Sequence, residues 1–198
     1  MPYDWRARAR RTAPSMIAHP DDISTPRLVL RLMEREVVDA CSVGNLQRAE
    51  HLLGIGIPTE LLDEPTALKY AQAQLDADPL YRPWSVRAII LPAARTVVGH
   101  IRFHSRPDPD YLRPFARDAV EFGYYVFSDY RRHGYAIEAA RAAMDWAHAA
   151  FGISRFIVCV SPNNTPSLAL IARLGFAKIG DHMDEIDGHE HIYLRSGS

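Results

Sequence analysis

The chain has 198 residues, of which 47% are hydrophobic and 24% are charged, and its formal net charge is −1. Its size and composition are typical of one soluble globular domain. So small a net charge gives no electrostatic reason to expect a nucleic-acid partner.

The cysteine count and the hydropathy pattern favour a cytoplasmic location. The two cysteines, Cys41 and Cys159, are too few for a disulfide framework and lack metal-site spacing, which favours free thiols in a reducing compartment. No apolar run approaches membrane-spanning length, and the Arg-rich N-terminal stretch lacks the apolar segment of a secretory signal. We therefore predict a cytoplasmic protein without a membrane partner.

The N-terminal residues 1–22 are predicted to form a flexible tail ahead of a single domain at 23–198. The tail contains three prolines and scattered arginines and has no sustained periodicity. The domain opens with residues 27–32, which follow Pro26 and have the composition of a first strand.

Apolar residues recur at helical spacing in the next two segments. Residues 34–53 predict one helix or a broken pair, and residues 58–77 predict another helix. Residues 84–91 and 96–104 are β-rich and are joined by a short turn, which predicts a hairpin. The segment 105–118, with three prolines, is predicted to be a long loop that either faces the substrate or is an ordinary connection.

The stretch 120–136 changes from a strand pattern to a helix pattern through a basic turn. Its first eight residues are aromatic and β-branched around one glycine, and an Ala-rich helix pattern begins at Gly134. The turn places Arg131, Arg132 and His133 just before that glycine. The N–H groups and positive dipole end of a helix start suit a bound phosphate, and glycine lets the ligand approach the backbone. The turn therefore predicts either a pyrophosphate site or an ordinary solvated loop.

The remaining chain alternates helices and strands. The Ala-rich helix continues to about residue 151, and residues 155–160 form an apolar run typical of a strand buried on both faces. A second helix follows at 167–174, and Asp187-Gly188 predicts the turn of a terminal hairpin. The whole is a mixed α/β sheet of about seven strands, with parallel and antiparallel pairs, flanked by helices.

Four motifs resemble those of the GNAT superfamily, the N-acetyltransferases that use acetyl-coenzyme A. The strongest part of the resemblance is 120–176, and the whole covers roughly residues 25–195. The opening motif is similar to the first strand of the ribosomal-protein N-terminal (alanine) acetyltransferase branch. The motifs are Thr25-x-Arg27-Leu28-x-Leu30-Arg31, then Arg131-x-x-Gly134-x-Ala136 after a strand with Glu121, Gly123 and Tyr124, then Pro162-x-Asn164-x-x-Ser167, and Leu174-Gly175-Phe176.

The resemblance implies a splayed sheet that binds acetyl-coenzyme A as co-substrate. In this family the strand carrying Tyr124 splays from the next parallel strand, and the pantetheine arm pairs with backbone groups in the gap. Asn164 would hold the arm through its amide, although an N-cap or turn role is the alternative. The implied coenzyme-binding residues are Tyr124, Tyr125, Val126, Arg131, Arg132, His133, Gly134, Tyr135, Ala136, Ile137 and Asn164.

The resemblance also implies direct attack of an amine on the acetyl thioester in a ternary complex. The reaction needs a base for the ammonium, a donor for the oxyanion and an acid for the departing thiolate. Glu121 stands at the family's acidic position and is the candidate base, alone or through a water, with a structural glutamate as the alternative. His104 and Asp118 are the next candidates for the base. The oxyanion donor is expected to be a backbone N–H near Val126.

The acid is where the chain departs from a common family pattern. Many relatives place a Tyr where this chain has Ile171, so Ser167 or water is the candidate acid. A thiolate with a pKa near that of free thiols, about 8.5, can also leave with little help.

The predicted terminal hairpin would collect polar residues if its strands pair about Asp187-Gly188. In that register Ile186 pairs with His189, and Asp184 pairs with His191. Such a polar face is compatible with zinc ligands, with the lining of an amine pocket, or with a solvated surface. The family needs no metal, so none is predicted. The polar face would hold His182, Asp184, His189 and His191, and the opposite face Met183, Ile192 and Leu194.

The acceptor is predicted to be an amine, and the residues do not select among a protein N-terminus, a polyamine and an aminoglycoside-like molecule. Both a monomer and a homodimer are compatible with the sequence. The rival hypothesis is a non-catalytic coenzyme A-binding sensor or interaction module with the same fold, because Ile171 removes one expected acid and Glu121 is only a candidate for the base.

Overall fold

Eight strands form one open sheet in the computed structural model, which describes residues 19–63, 65–184 and 188–197. The strands are β1 (Ile23–Ser24), β2 (Val29–Leu32), β3 (Arg87–Leu91), β4 (Thr96–Phe103), β5 (Ala119–Val126), β6 (Arg155–Val160), β7 (Ala177–Asp184) and β8 (Gly188–Ser196). The α-helices are α1 (Arg35–Ser42), α2 (Leu46–Leu53), α3 (Pro65–Ala77), α4 (Tyr135–Phe151) and α5 (Thr165–Arg173). Four short 3₁₀ turns lie at Thr59–Leu62, Pro79–Trp84, Pro92–Ala94 and Ser128–Tyr130.

The order of strands across the sheet is β1-β2-β3-β4-β5-β6-β8-β7. Among the described strands, β5 and β6 are parallel and every other neighbouring pair is antiparallel. This confirms the predicted mixed α/β sheet flanked by helices. It has one strand more than the predicted seven, because Ile23 and Ser24 pair with Leu30 and Val29 as a short edge strand.

Side chains alternate between two cores on the two faces of the sheet. Ile89 and Val98 belong to the core beneath α4 and α5, whereas Ile90 and Val97 belong to the core beneath α1, α2 and α3. This alternation follows from the two-residue period of a strand. Helix α4 contributes a stripe of small residues and one methionine: Ala139, Ala140, Ala143, Met144 and Ala147 are all buried.

The predicted helix boundaries are close to the observed ones, and turn chemistry accounts for the differences. The segment 34–53 is a broken pair, because Gly44 adopts a positive φ of 74° between α1 and α2. Helix α5 begins at 165 rather than 167, because Asn164 caps it and a proline stands in its first turn. Strand β3 begins at 87 rather than 84, since a 3₁₀ turn occupies the preceding residues.

The register predicted for the terminal hairpin is wrong. Asp184 pairs with Gly188, and His191 pairs with Asp181. The partner of Asp184 is thus residue 188 instead of 191, an odd shift of three, and an odd shift moves side chains to the other face of a sheet. Asp187, the first residue of the predicted two-residue turn, and Ile186 lie outside the described residues, whereas Gly188 is the first residue of β8. One face carries Asp181, Met183, His189 and His191, and the other carries His182, Asp184, Glu190 and Ile192.

Residues 1–18, most of the predicted tail, lie outside the described residues. The described end of the predicted tail, residues 19–22, is held by ion pairs. Asp22 Oδ2 lies 2.6 Å from Arg31 Nη2, and Asp21 Oδ2 lies 2.8 Å from Arg82 Nη2. Within the described ranges, none of the helices combines the length and the hydropathy needed to cross a membrane.

Candidate active site

Strands β5 and β6 separate after their first three residues. The parallel ladder joins Ala119, Val120 and Glu121 of β5 to Arg155, Phe156 and Ile157 of β6. Beyond Glu121, β5 continues to Val126 along β4, while β6 continues along β8. A wedge-shaped gap therefore opens in the sheet between the second halves of β5 and β6.

Backbone groups of β5 face this gap. The His104 N–H donates to the Glu121 carbonyl over 2.8 Å, and the Phe127 N–H donates to the Val98 carbonyl over 2.9 Å. Antiparallel pairing alternates, so odd-numbered residues of β5 bond to β4 and even-numbered residues present their N–H and C=O groups on the opposite edge. Tyr124 therefore offers a backbone donor and acceptor to the gap, and Val126 offers its N–H, while its carbonyl accepts from Arg131 Nε.

Tyr125, a third predicted coenzyme residue, turns away from the gap. Its backbone lies on the β4 side, and its ring stacks on His100 with 5.9 Å between centroids. Its hydroxyl donates to Glu60 Oε1 over 3.1 Å. Tyr125 therefore connects β5 to the 3₁₀ turn at Thr59–Leu62.

The basic turn ends in two positive-φ residues, Arg132 (φ 64°) and Gly134 (φ 80°), just before α4. Gly134 is the N-cap and has no side chain to cap the helix. The first N–H groups of a helix have no intrahelical partner, so Tyr135, Ala136 and Ile137 present theirs at the end of the gap. This helix start is suited to a phosphate group.

The side chains of the turn brace its backbone. Arg131 Nε donates to the Val126 carbonyl over 2.9 Å, and the guanidinium lies 5.2 Å from the Tyr125 ring centroid. His133 Nδ1 lies 2.8 Å from the Arg131 carbonyl, and its ring stacks on Tyr135. Arg132 is exposed. Backbone N–H groups are thus the main anion donors that this turn presents, with the exposed Arg132 adding charge.

Arg27 and Glu60 also hold the turn, and sequence reasoning did not assign them to the site. Arg27 Nη1 donates to the His133 carbonyl over 2.9 Å, and Arg27 forms a 2.6 Å ion pair with Glu138 in the first turn of α4. Glu60 accepts from the Ser128 N–H over 2.9 Å and from the Ser128 hydroxyl over 2.9 Å. Arg27 was visible only as part of a strand motif, and no local pattern marks Glu60.

The far side of the gap carries Ser167 and Asn164. The Tyr124 hydroxyl lies across the gap, 3.3 Å from Ser167 Oγ. Burial raises the pKa of Tyr124, against the opposing effect of this hydrogen bond. Asn164 Oδ1 accepts from the Ser167 N–H over 3.2 Å and so caps α5, which is the structural role considered for it. Ile171, the position at which the family resemblance implied a Tyr, is buried in the core.

Glu121 is 6% exposed and lies at the point where the strands separate. His104 Nδ1 is 3.3 Å from Oε1, and the Tyr111 hydroxyl donates to Oε2 over 3.0 Å. Burial alone raises the pKa of Glu121, but His104, the Cys159 thiol and Tyr111 outweigh it and lower the pKa to about 2. Burial and the Glu121 charge raise the pKa of Cys159, so that its thiol stays protonated.

His104 lies against Gly123, and the other candidate base lies elsewhere. A Cβ added to Gly123 would meet His104 Nε2 at 2.9 Å, so a larger residue there would displace the imidazole from this position. Asp118 lies at the end of the 105–118 loop, where its N–H donates to Asp108 Oδ1 over 3.0 Å. That loop crosses the sheet beside the site, because Leu112 packs against Ile157 and neighbouring residues. It brings Tyr111 to Glu121.

This sheet, with a gap beside an uncapped helix start, has the arrangement expected of an acyltransferase that uses coenzyme A. The sequence matches the acetyltransferase (GNAT) domain family over residues 27–177, and the chain belongs to that family. It is 27% identical over 92 residues to the uncharacterized N-acetyltransferase YnaD of Bacillus subtilis (strain 168), a match over 46% of this chain. The chain spans about half, 49%, of that relative's length.

Solved structures of acetyltransferases share the fold. The ribosomal-protein-S5-alanine acetyltransferase of Vibrio fischeri has a TM-score of 0.62 at 16% identity, over 89% of this chain and 97% of its own. RimJ of Mycobacterium smegmatis, in complex with CoA-disulfide, has a TM-score of 0.58 at 23% identity, over 85% and 81%. A GNAT-family acetyltransferase of Bacillus anthracis has a TM-score of 0.57 at 21% identity, over 88% and 98%.

Proposed function

We propose that this chain transfers the acetyl group of acetyl-coenzyme A to an amine by direct attack in a ternary complex. The observation that carries the proposal is the gap between β5 and β6, which leads to the uncapped start of α4. The pantetheine arm pairs with the backbone N–H and C=O of Tyr124 as an added strand, which leaves the Val126 N–H for the thioester carbonyl. The pyrophosphate accepts hydrogen bonds from the N–H groups that follow Gly134.

The geometry around Glu121 supports a division of labour with His104. Both carboxylate oxygens of Glu121 are already engaged, one by His104 Nδ1 and the other by the Tyr111 hydroxyl, so we assign the proton of the attacking ammonium to Nε2 of the neutral His104 ring. Glu121 contacts Nδ1 of the same ring, and in this proposal it orients the imidazole and balances its charge. The amine nitrogen then bonds to the acetyl carbon, and the C–S bond breaks.

The departing sulfur takes its proton from the pair formed by Ser167 and Tyr124. Their hydroxyl groups, 3.3 Å apart, lie on opposite sides of the gap. Burial keeps the pKa of Tyr124 above its ordinary value, so that a proton is available on this pair at neutral pH. This arrangement supplies an acid in the absence of a Tyr at Ile171. The oxyanion accepts from the backbone N–H of Val126.

Among the candidate acceptor amines, we favour a protein N-terminus. The Vibrio fischeri relative is named for the alanine of ribosomal protein S5, and the opening motif of this chain resembles the same branch. The test is thiol release from acetyl-coenzyme A over a panel of peptides with Ala or Ser N-termini, polyamines and aminoglycosides. Coenzyme binding without turnover on any amine would favour the non-catalytic module instead.

Two matched glycine variants test the coenzyme site. Gly134→Glu crowds the turn and adds a negative charge where the pyrophosphate binds, so we expect acetyl-coenzyme A binding to be lost. Gly152→Glu adds the same charge at the other end of α4, where the glycine also has a positive φ of 72° and open space around its Cβ. Equal coenzyme affinity in the two variants, measured by calorimetry, would refute the site.

A third variant tests the base. His104→Gln removes the proposed proton acceptor, and we expect kcat to fall by a factor of about 10² or more. The KM for acetyl-coenzyme A should change little, because the imidazole does not contact the coenzyme in this proposal. An unchanged kcat would return the base to Glu121 or to water.

A further inference from the structure

Three side chains converge on one face of the terminal hairpin, on strands that lie outside the β5–β6 gap. His189 and His191 are two residues apart on β8 and therefore share a face, and Asp181 lies opposite His191 on β7. His189 Nε2 is 3.1 Å and His191 Nε2 is 3.4 Å from Asp181 Oδ1. The three ligand-type atoms all lie within 4.8 Å of one another.

These distances suit a small divalent cation. With metal–ligand bonds of about 2.0–2.1 Å, neighbouring ligand atoms in a tetrahedral site lie about 3.3 Å apart. The two separations from Asp181 Oδ1, 3.1 and 3.4 Å, bracket that value, and the two histidine nitrogens lie within 4.8 Å of each other. Two imidazoles and one carboxylate are a donor set suited to Zn²⁺ and unlike the all-oxygen sets of Mg²⁺ or Ca²⁺.

Two neighbours complete the arrangement. The Tyr193 hydroxyl lies 3.4 Å from His191 Nδ1, so an oxygen contacts the ring nitrogen that faces away from Asp181, as is usual for metal-bound histidines. Lys178 Nζ lies 2.9 Å from Asp181 Oδ1 and competes with a cation for that oxygen. The side chains of Asp181 and His189 are about half exposed, at 50% and 48%, so an ion can reach them from solvent.

We propose that Asp181, His189 and His191 form a binding site for Zn²⁺ or a similar divalent ion, with a fourth position open to water. The ion joins β7 to β8 and stabilises the terminal hairpin. The acetyl transfer proposed above needs no metal, so the two proposals stand or fall separately.

The experiment is calorimetric titration of the untagged 198-residue chain with zinc chloride, because a polyhistidine tag would itself bind zinc. We expect one saturable site, and a melting temperature that rises by about 5–10 °C at a free zinc concentration of about 100 times Kd. His189→Ala, His191→Ala and Asp181→Asn should each weaken zinc binding by at least tenfold, and Tyr193→Phe by about tenfold.

Two variants on the same hairpin serve as controls. His182→Ala removes a histidine from the opposite face and should leave zinc affinity unchanged. Lys178→Met removes the competing ammonium and should raise the affinity, a result that ion pairing alone does not predict. Absence of saturable binding, or an equal loss in His182→Ala and His191→Ala, would overturn the proposal. Melting curves of the metal-free variants verify folding, and His191→Gln is used if His191→Ala fails to fold.

Discussion

The buried carboxylate of Glu121 should make the stability of this protein depend on pH in a way that one isosteric substitution removes. Its pKa is lowered from 4.5 to about 2. A carboxyl whose folded pKa is depressed stabilises the native state above its unfolded pKa, and this contribution is lost as the pH falls through the folded pKa. At about 1.4 kcal/mol per pKa unit, Glu121 contributes about 3 kcal/mol at pH 7.

The perturbation is Glu121→Gln, which keeps the shape of the side chain and removes its charge. We expect the variant to be less stable than the wild type by about 3 kcal/mol at pH 7 and by only about 1 kcal/mol at pH 3, since the wild-type carboxylate is losing its advantage there. The assay is urea unfolding at pH 7, 5, 4 and 3. Glu36→Gln, on the exposed face of α1, is the control and should track the wild type.

A difference between Glu121→Gln and wild type that is the same at pH 7 and pH 3 would refute this reasoning. It would mean that the lost stability comes from packing or from the hydrogen bond of Tyr111. The charge of the Glu121 carboxylate beside His104 would then contribute nothing to the free energy of unfolding. The division of labour proposed for the two residues would then lose its physical basis.

Three further predictions concern the turn, the sheet and the acid. Glu60→Gln weakens the hydrogen bonds that hold Ser128 ahead of the basic turn, so the KM for acetyl-coenzyme A should rise about tenfold while kcat changes little. Steady-state kinetics with varied coenzyme concentration measure both constants. A change in kcat alone would contradict the role of Glu60 in holding the coenzyme-binding turn. Gly99→Ala places a Cβ 2.2 Å from the Tyr125 carbonyl oxygen, so the melting temperature should fall by about 6–12 °C. Gly56→Ala, whose nearest contact is 3.5 Å, should melt within about 3 °C of the wild type, and equal melting of the two variants would show that β4 and β5 are not closely packed there. Ser167→Ala removes the hydroxyl facing Tyr124 and should lower kcat by about tenfold; a kcat equal to that of the wild type at every pH from 6 to 9 would exclude Ser167 from proton transfer.

Local patterns predicted most of the elements and one half of the candidate site. The continuous apolar run at 155–160 predicted a strand, and the helical spacing of apolar residues predicted the Ala-rich helix at 135–151. Both elements have the expected bounds. The basic turn could also be predicted, because a glycine between a strand pattern and a helix pattern is a local sequence signal. The Asn164 turn was visible for the same reason.

No local sequence pattern predicted the contacts between residues that are far apart in the chain. Glu60 reaches Ser128 across 68 residues, and Arg27 reaches His133 across 106. His104 lies beside Glu121 because the antiparallel register of β4 and β5 places them opposite each other after a long loop. Spacing along the chain does not encode such pairings.

The terminal hairpin shows the division between sequence and tertiary structure most plainly. The dipeptide Asp187-Gly188 was enough to predict two strands joined by a turn, because turn preference is a property of neighbouring residues. Which residues share a face depends on the register, and an odd shift exchanges the two faces. Only the packing of Ile192 into the core brought Asp181 together with His189 and His191 on the other side.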